Sequence, residues 1–203
     1  MELIFKNNKI ILDNKEFTVL DKLVTDFVSR ITVKYVIISG YTAILFGRSR
    51  NTEDIDIFIE KLDYGAFSKF YNKIVFSRRY ECINAENSKS AYEMLMEKSS
   101  IRFAEPGTYE PNFEIKFPQN ELSLYSLQKA VVVKLNKKHE IRIGPMELQL
   151  AYKLYLGSEK DYLDASHLYE IFKDYIDRQE LKSLIKKLGI KTGVAKMILG
   201  EKI

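Results

Sequence analysis

The sequence predicts an α+β protein: a mixed β-sheet flanked by helices, followed by a C-terminal helical region. Three observations predict it. Short segments alternating apolar and polar residues, the strand period of two, recur at 54–60 and 113–117. Amphipathic stretches at helical spacing lie between the strand-like segments, as at 18–31, and from Pro145 onward the pattern is helical throughout. The expected division is a sheet-bearing α/β domain over 1–145 with a helical region over 146–203 packed on it. A chain of 203 residues is long enough to bury a substantial core in such a unit.

Taken in order, residues 2–5 and 9–12 alternate around Asn7-Asn8 and predict an opening hairpin. From Thr18 to Ile31, Val19, Leu20, Leu23, Val24, Phe27, Val28 and Ile31 recur at helical spacing, which predicts a helix laid on the sheet. Tyr35 to Ile38 is a short apolar strand ending at Ser39-Gly40, and Tyr41 to Phe46 reads as a short helix. The strand 54–60 puts Asp54 and Asp56 on one face and Ile55, Ile57 and Ile59 on the other. Helices are expected over 64–76 and 88–98, with strands at 80–84 and 101–104 and a Pro106-Gly107 turn. Phe113 to Phe117 alternates again, so Glu114 and Lys116 share a face. A helix beginning near Leu122 and a hairpin of 131–134 with 140–143 complete the sheet. Helices over 146–156, 159–172 and 177–188 follow, with Gly157 and Gly189 as stops and Ser158 and Asp177 as N-caps.

Composition excludes several classes. Hydrophobic residues at 46%, charged residues at 30%, and only 9 glycines and 4 prolines exclude a disordered or low-complexity chain. The formal charge of +4 arises from 32 cations against 28 anions, a mixed surface that permits a polyanionic partner without demanding one. Cys82 is the only cysteine, which excludes an intramolecular disulfide and a cysteine-rich zinc site. No segment approaches the roughly 20 apolar residues of a membrane span, and no leader-like pattern opens the chain. A cytoplasmic location with no membrane partner is expected.

The chemistry concentrates between residues 39 and 56. A small-residue turn at Ser39-Gly40 lets backbone N–H groups approach phosphate oxygens, and Asp54 and Asp56 offer hard carboxylate oxygens to Mg²⁺ or Mn²⁺. A triphosphate would complete the coordination of such an ion. A third carboxylate facing the pair would allow two metals about 3.5–4 Å apart. Glu114 is the choice on pattern, with Glu81, Glu105 and Glu110 in the same interval. Arg48 and Arg50 lie in the loop entering the Asp strand, where guanidinium groups suit phosphate. Asp161 and Asp164 are placed to stabilise the first turns of the helix they begin.

These residues resemble the signature of the DNA polymerase β-like nucleotidyltransferase superfamily, in the branch of AbiEii-type toxins and minimal nucleotidyltransferases. There a Gly-Gly pair starts a short helix, and an Arg-x-Thr and an Asp-x-Asp strand follow. Gly40 matches the second glycine, Gly47 the glycine closing the helix, Arg50 and Thr52 the Arg-x-Thr, and Asp54 and Asp56 the metal pair. Ser39 departs from the pattern, standing where the first glycine is usual. The segment Ser158 to Ala165 is similar to the Lys-Asp-x-x-Asp-Ala segment of that branch, and by analogy Lys153 or Lys160 would reach the triphosphate.

The resemblance implies a nucleotidyltransferase fold and metal-dependent transfer of a nucleoside monophosphate to a hydroxyl. A protein side chain or a tRNA end is the implied acceptor, with a toxin–antitoxin connection and a cognate partner protein. Asp54, Asp56 and Glu114 would hold metal and act in catalysis. Ser39, Gly40, Arg48, Arg50, Thr52, Lys153 and Lys160 would bind the nucleotide. The alternative is a nucleotide- or partner-binding regulatory module that keeps the fold without turnover, for which Ser39 and the choice among four third carboxylates speak.

Overall fold

The computed structural model describes residues 2–6 and 9–200. Strands β1 (Glu2–Lys6) and β2 (Lys9–Asp13) pair antiparallel as the alternation predicts; the Asn7-Asn8 turn between them lies outside the described residues. Helix α1 (Val19–Ser29) opens with a capping box, in which Thr18 accepts from Asp21 N–H and Asp21 accepts from Thr18 N–H. Val24, Phe27 and Val28 turn inward, whereas Val19, in the first turn, is exposed. Strand β3 (Tyr35–Ile37), helix α2 (Gly40–Leu45) and strand β4 (Asp54–Ile59) follow in the expected order.

The next stretch carries α3 (Tyr64–Phe76), β5 (Glu81–Cys82), α4 (Ser88–Met96), β6 (Ile101–Ala104) and β7 (Asn112–Lys116). Asp63, Asn87 and Asn120 cap α3, α4 and α5 (Glu121–Gln128), supplying side-chain acceptors to amides left open at helix starts. The strand expected over 80–84 shrinks to two residues; Tyr80 packs edge-on against the stacked rings of Phe27 and Phe113 and does not join the ladder. Strands β8 (Val131–Lys134) and β9 (Glu140–Ile143) form the expected hairpin.

The nine strands among the described residues form one sheet in the order β1-β2-β8-β9-β3-β4-β7-β6-β5. It is mixed: β2–β8, β3–β9 and β4–β7 are parallel and the other five neighbouring pairs antiparallel. The parallel β4–β7 pairing needs a long crossover, which α3, β5, α4 and β6 supply.

Beyond the sheet come α6 (Met146–Leu156), α7 (Glu159–Phe172), α8 (Arg178–Lys187) and α9 (Thr192–Leu199). Gly157 ends α6 in the left-handed conformation, as a stop glycine should. Helix α9 lies past the last helix delimited from sequence, and it packs on α7 through the buried Ala195 and Leu199. Sheet residues such as Ile10 and Ile143 share one hydrophobic cluster with Leu150, Leu168, Phe172 and Leu181 of these helices. Among the described residues, no helix is long and apolar enough to cross a membrane.

Candidate functional site

The parallel pairing of β4 with β7 sets Asp56 directly across from Glu114 and Asp54 across from Asn112. Ile55, Ile57 and Ile59 are buried on the opposite face of β4, which fixes the register and turns the aspartates to the other side. Glu114 is thus the interval glutamate that meets the pair. Glu81 accepts from the Gly107 amide, and Glu105 is ion-paired with Arg79.

Lys116 rises from the same face of β7 as Glu114. Its Nζ donates to Asp56 Oδ1 at 3.0 Å and stands 2.8 Å from Glu114 Oε1. Arg102, across β6 from Glu114, approaches Glu114 Oε2 at 3.5 Å. Burial pushes the Asp54 carboxyl above the usual aspartate range, and the charges of Asp56 and Glu114 add to it against the opposing pull of Lys116 and Arg102. Burial acts on Glu114 in the same direction, but its bonds to Lys116 and Ser100 outweigh it and hold that carboxyl below its ordinary value.

The three carboxylates therefore differ. Two lean on Lys116, while no hydrogen bond or ion pair joins the Asp54 carboxylate to another side chain among the described residues. Among those residues, no group of three or more His, Cys, Asp or Glu side chains stands arranged to hold a metal ion. The Lys116 ammonium lies between two of the candidate donors, Asp56 and Glu114. Asp56 has Lys116 as a partner, but its second oxygen and the Asp54 carboxylate still offer hard oxygens that fit one divalent cation. Glu114 would join only with Lys116 displaced.

Ser39, two residues past the end of β3, takes the N-cap position of α2 without a side-chain capping bond, with φ +67° and ψ −135°, a conformation that belongs to glycine. The turn thus keeps the backbone that the usual glycine would adopt, although its residue is serine. Ser39 N–H donates to Gln149 Oε1 at 3.2 Å, and Gln149 Nε2 donates to Thr42 Oγ1 at 3.0 Å, so α6 holds the turn in place. Gly40 is needed for close approach. A Cβ there would stand 3.1 Å from Arg50 Nη2 and 3.3 Å from Thr52 Oγ1. Thr52 Oγ1 itself donates to the Asp54 carbonyl at 2.8 Å and secures the start of β4.

Behind Arg50 lies a charge cluster centred on Asp164, a fully buried side chain. Arg50 Nη1 and Lys153 Nζ both approach Asp164 Oδ2 at 2.6 Å, and Arg48 pairs with the other carboxylate oxygen. Asp161 stands 3.9 Å from Lys153 and bonds to the Ser158 cap. Asp161 stabilises the first turn of α7 as expected. Asp164 does not: it anchors three cations contributed by the loop after α2 and by α6, because its position on α7 faces inward.

The structure brings Ser39, Gly40, Arg48, Arg50, Thr52 and Lys153 into one connected group beside the carboxylate face. Lys160 is not part of it; it is exposed in the first turn of α7, and no contact joins it to the cluster. Lys116, Gln149 and Asp164 are members to which sequence reasoning gave no place in the site. Lys116 had a signal, two residues from Glu114 on one face, whereas Gln149 meets Ser39 only through the fold.

No protein-family model and no curated protein sequence matches this chain. Solved structures do match. One is the crystal structure of an antigenic nucleotidyltransferase-like protein from Paracoccidioides brasiliensis, with a TM-score of 0.53 over 95% of each chain at 17% identity. At that identity the likeness is one of fold, and the mixed sheet with its helices is nucleotidyltransferase-like.

Proposed function

We propose that this chain is a metal-dependent nucleotidyltransferase of the AbiEii-type, toxin-related branch. It moves a nucleoside monophosphate from a triphosphate to a hydroxyl on a protein or an RNA end. The observation that carries the reading is the β4–β7 register, which sets Asp54, Asp56 and Glu114 on one face beside the Ser39-Gly40 turn. In the reaction the acceptor hydroxyl gives up its proton to solvent, its oxygen bonds to the α-phosphorus, the bond to the bridging oxygen breaks, and pyrophosphate leaves.

A divalent cation bound at Asp54 and Asp56 would supply Lewis-acid polarisation of phosphate oxygens. The chain's own residues do the rest. Arg48 and Arg50, paired with Asp164 and partly exposed, would contact the phosphates of a bound nucleotide. Their cluster sets three cations against Asp164 and Asp161, leaving positive charge for an anion. Glu114, held ionised by Lys116, suits charge compensation better than proton abstraction.

One observation favours a second reading, a nucleotide- or partner-binding regulatory module without turnover. Lys116 bonds to two of the three carboxylates and competes with any cation there.

The test is calorimetric titration with each nucleoside triphosphate, with and without Mg²⁺ or Mn²⁺, on wild type and on Asp54→Ala/Asp56→Ala. It is paired with transfer of labelled nucleotide to bulk tRNA and to copurifying protein. Metal-dependent binding lost in the double variant, and transfer lost in Asp56→Asn, are the expected results. Full transfer by Asp56→Asn would sink the metal assignment. Binding without pyrophosphate release would favour the regulatory reading.

A further inference from the structure

A cleft opens between α5, α6 and the face of the sheet that carries the aspartates. Phe58, Leu122, Leu148 and Tyr152 form its walls around a volume of about 90 Å³. It is continuous with the turn, since Ser39 lines one edge. Phe58 lies two residues beyond Asp56 on the same strand face, roughly 7 Å along β4, about the reach of a sugar ring.

Two polar groups mark the floor. Ser126 is 2% exposed, and its Oγ has no hydrogen-bond partner. A buried hydroxyl left unpaired costs free energy, and it is the kind of group a bound ligand satisfies. Gln149 lies beside it, with its carbonyl oxygen on Ser39 and one amide proton on Thr42, so a second amide proton remains. Gly144 keeps this floor open, because a Cβ there would stand 2.9 Å from Ser126 Oγ and 3.3 Å from Gln149 Nε2.

No charged side chain lines the cleft. It therefore lacks what a phosphate or a polyanionic strand requires. Flat apolar walls with an aromatic side chain, ending in a hydroxyl and an amide, match a neutral planar heterocycle with polar atoms on its edge. We infer that this cleft is the nucleobase subsite, with Ser126 and Gln149 contacting the base edge and Phe58 and Tyr152 its faces. This rests on the nucleotide-binding reading above.

The test compares nucleoside triphosphates with inorganic tripolyphosphate, each titrated in the presence of Mn²⁺. Wild type should bind one or more of the nucleotides at least about tenfold more tightly than tripolyphosphate, the scale of one stacked base. Leu122→Trp, which fills the cleft from α5, should bring the nucleotide down to the affinity of tripolyphosphate while leaving tripolyphosphate unchanged. Ser126→Ala should narrow the differences among the four bases. If Leu122→Trp does not fold, Tyr152→Ala at the exposed mouth carries the same comparison. A nucleotide preference kept in the filled or truncated cleft overturns the subsite while the nucleotide-binding reading stands. Equal wild-type affinity for nucleotides and tripolyphosphate overturns it as well. Wild type binding neither ligand overturns both.

Discussion

Replacing Asp164 by Asn keeps the shape of the side chain and removes the charge on which three cations converge. Arg48 and Arg50 have side chains 19% and 16% exposed, so both can turn toward water at small cost. Lys153 cannot, because its side chain is only 3% exposed and the next carboxylate, Asp161, is 3.9 Å away. Removing one partner of a buried pair costs about 3–5 kcal/mol, and residual attraction to Asp161 points to the lower end, about 3 kcal/mol. For a chain of this length that corresponds to a fall in Tm of roughly 6–12 °C. Urea unfolding followed by circular dichroism measures it, with the midpoint shifted and the slope unchanged. Lys153→Met combined with Asp164→Leu should recover part of the loss, since an apolar pair replaces a desolvated ionic one. A loss under about 1 kcal/mol in Asp164→Asn would refute the claim that Lys153 depends on this carboxylate.

Other perturbations follow from the same geometry. Ser39→Gly should relieve a glycine-type backbone conformation worth about 1–3 kcal/mol, partly offset by a looser unfolded chain, for a net gain of about 1 kcal/mol. A lower Tm in that variant would contradict the strain at this turn. Lys116→Gln should raise Mn²⁺ affinity measured calorimetrically, because Asp56 and Glu114 lose their ammonium partner; weaker binding would show that Lys116 does not compete with the cation. Asp21 is 1% exposed, and although burial alone would raise its pKa, bonds from Lys15, Tyr41 and Thr18 bring the carboxyl below its usual value. Its stabilising contribution is therefore complete above the unfolded pKa near 3.8 and is lost as pH falls through the lower folded value. Asp21→Asn should be less stable at neutral pH and lose less stability on acidification from pH 5 to pH 2; an unchanged acid limb would refute this.

Much of the architecture was written in local pattern. The strands at 54–59 and 112–116 follow from a period of two, and α1 follows from helical spacing. Alternation also placed Asp54 and Asp56 on one face. The short final helix α9 was not delimited, because eight residues with a glycine at the second position give periodicity little to act on. The strand expected at 80–84 was overstated because Tyr80 belongs to the aromatic core.

The sequence by itself determined which residues could do chemistry near the turn and which face of its own strand each occupies, since backbone geometry fixes the direction of successive side chains within one element. Tertiary structure alone decided who meets whom. Glu114 faces Asp56 because the buried isoleucines set the β4–β7 register, Gln149 reaches Ser39 across 110 residues, and Asp164 gathers Arg48, Arg50 and Lys153 because α7 packs against α2 and α6. Pairing between charges depends on distance and burial, which arise only when separate elements close around a shared core.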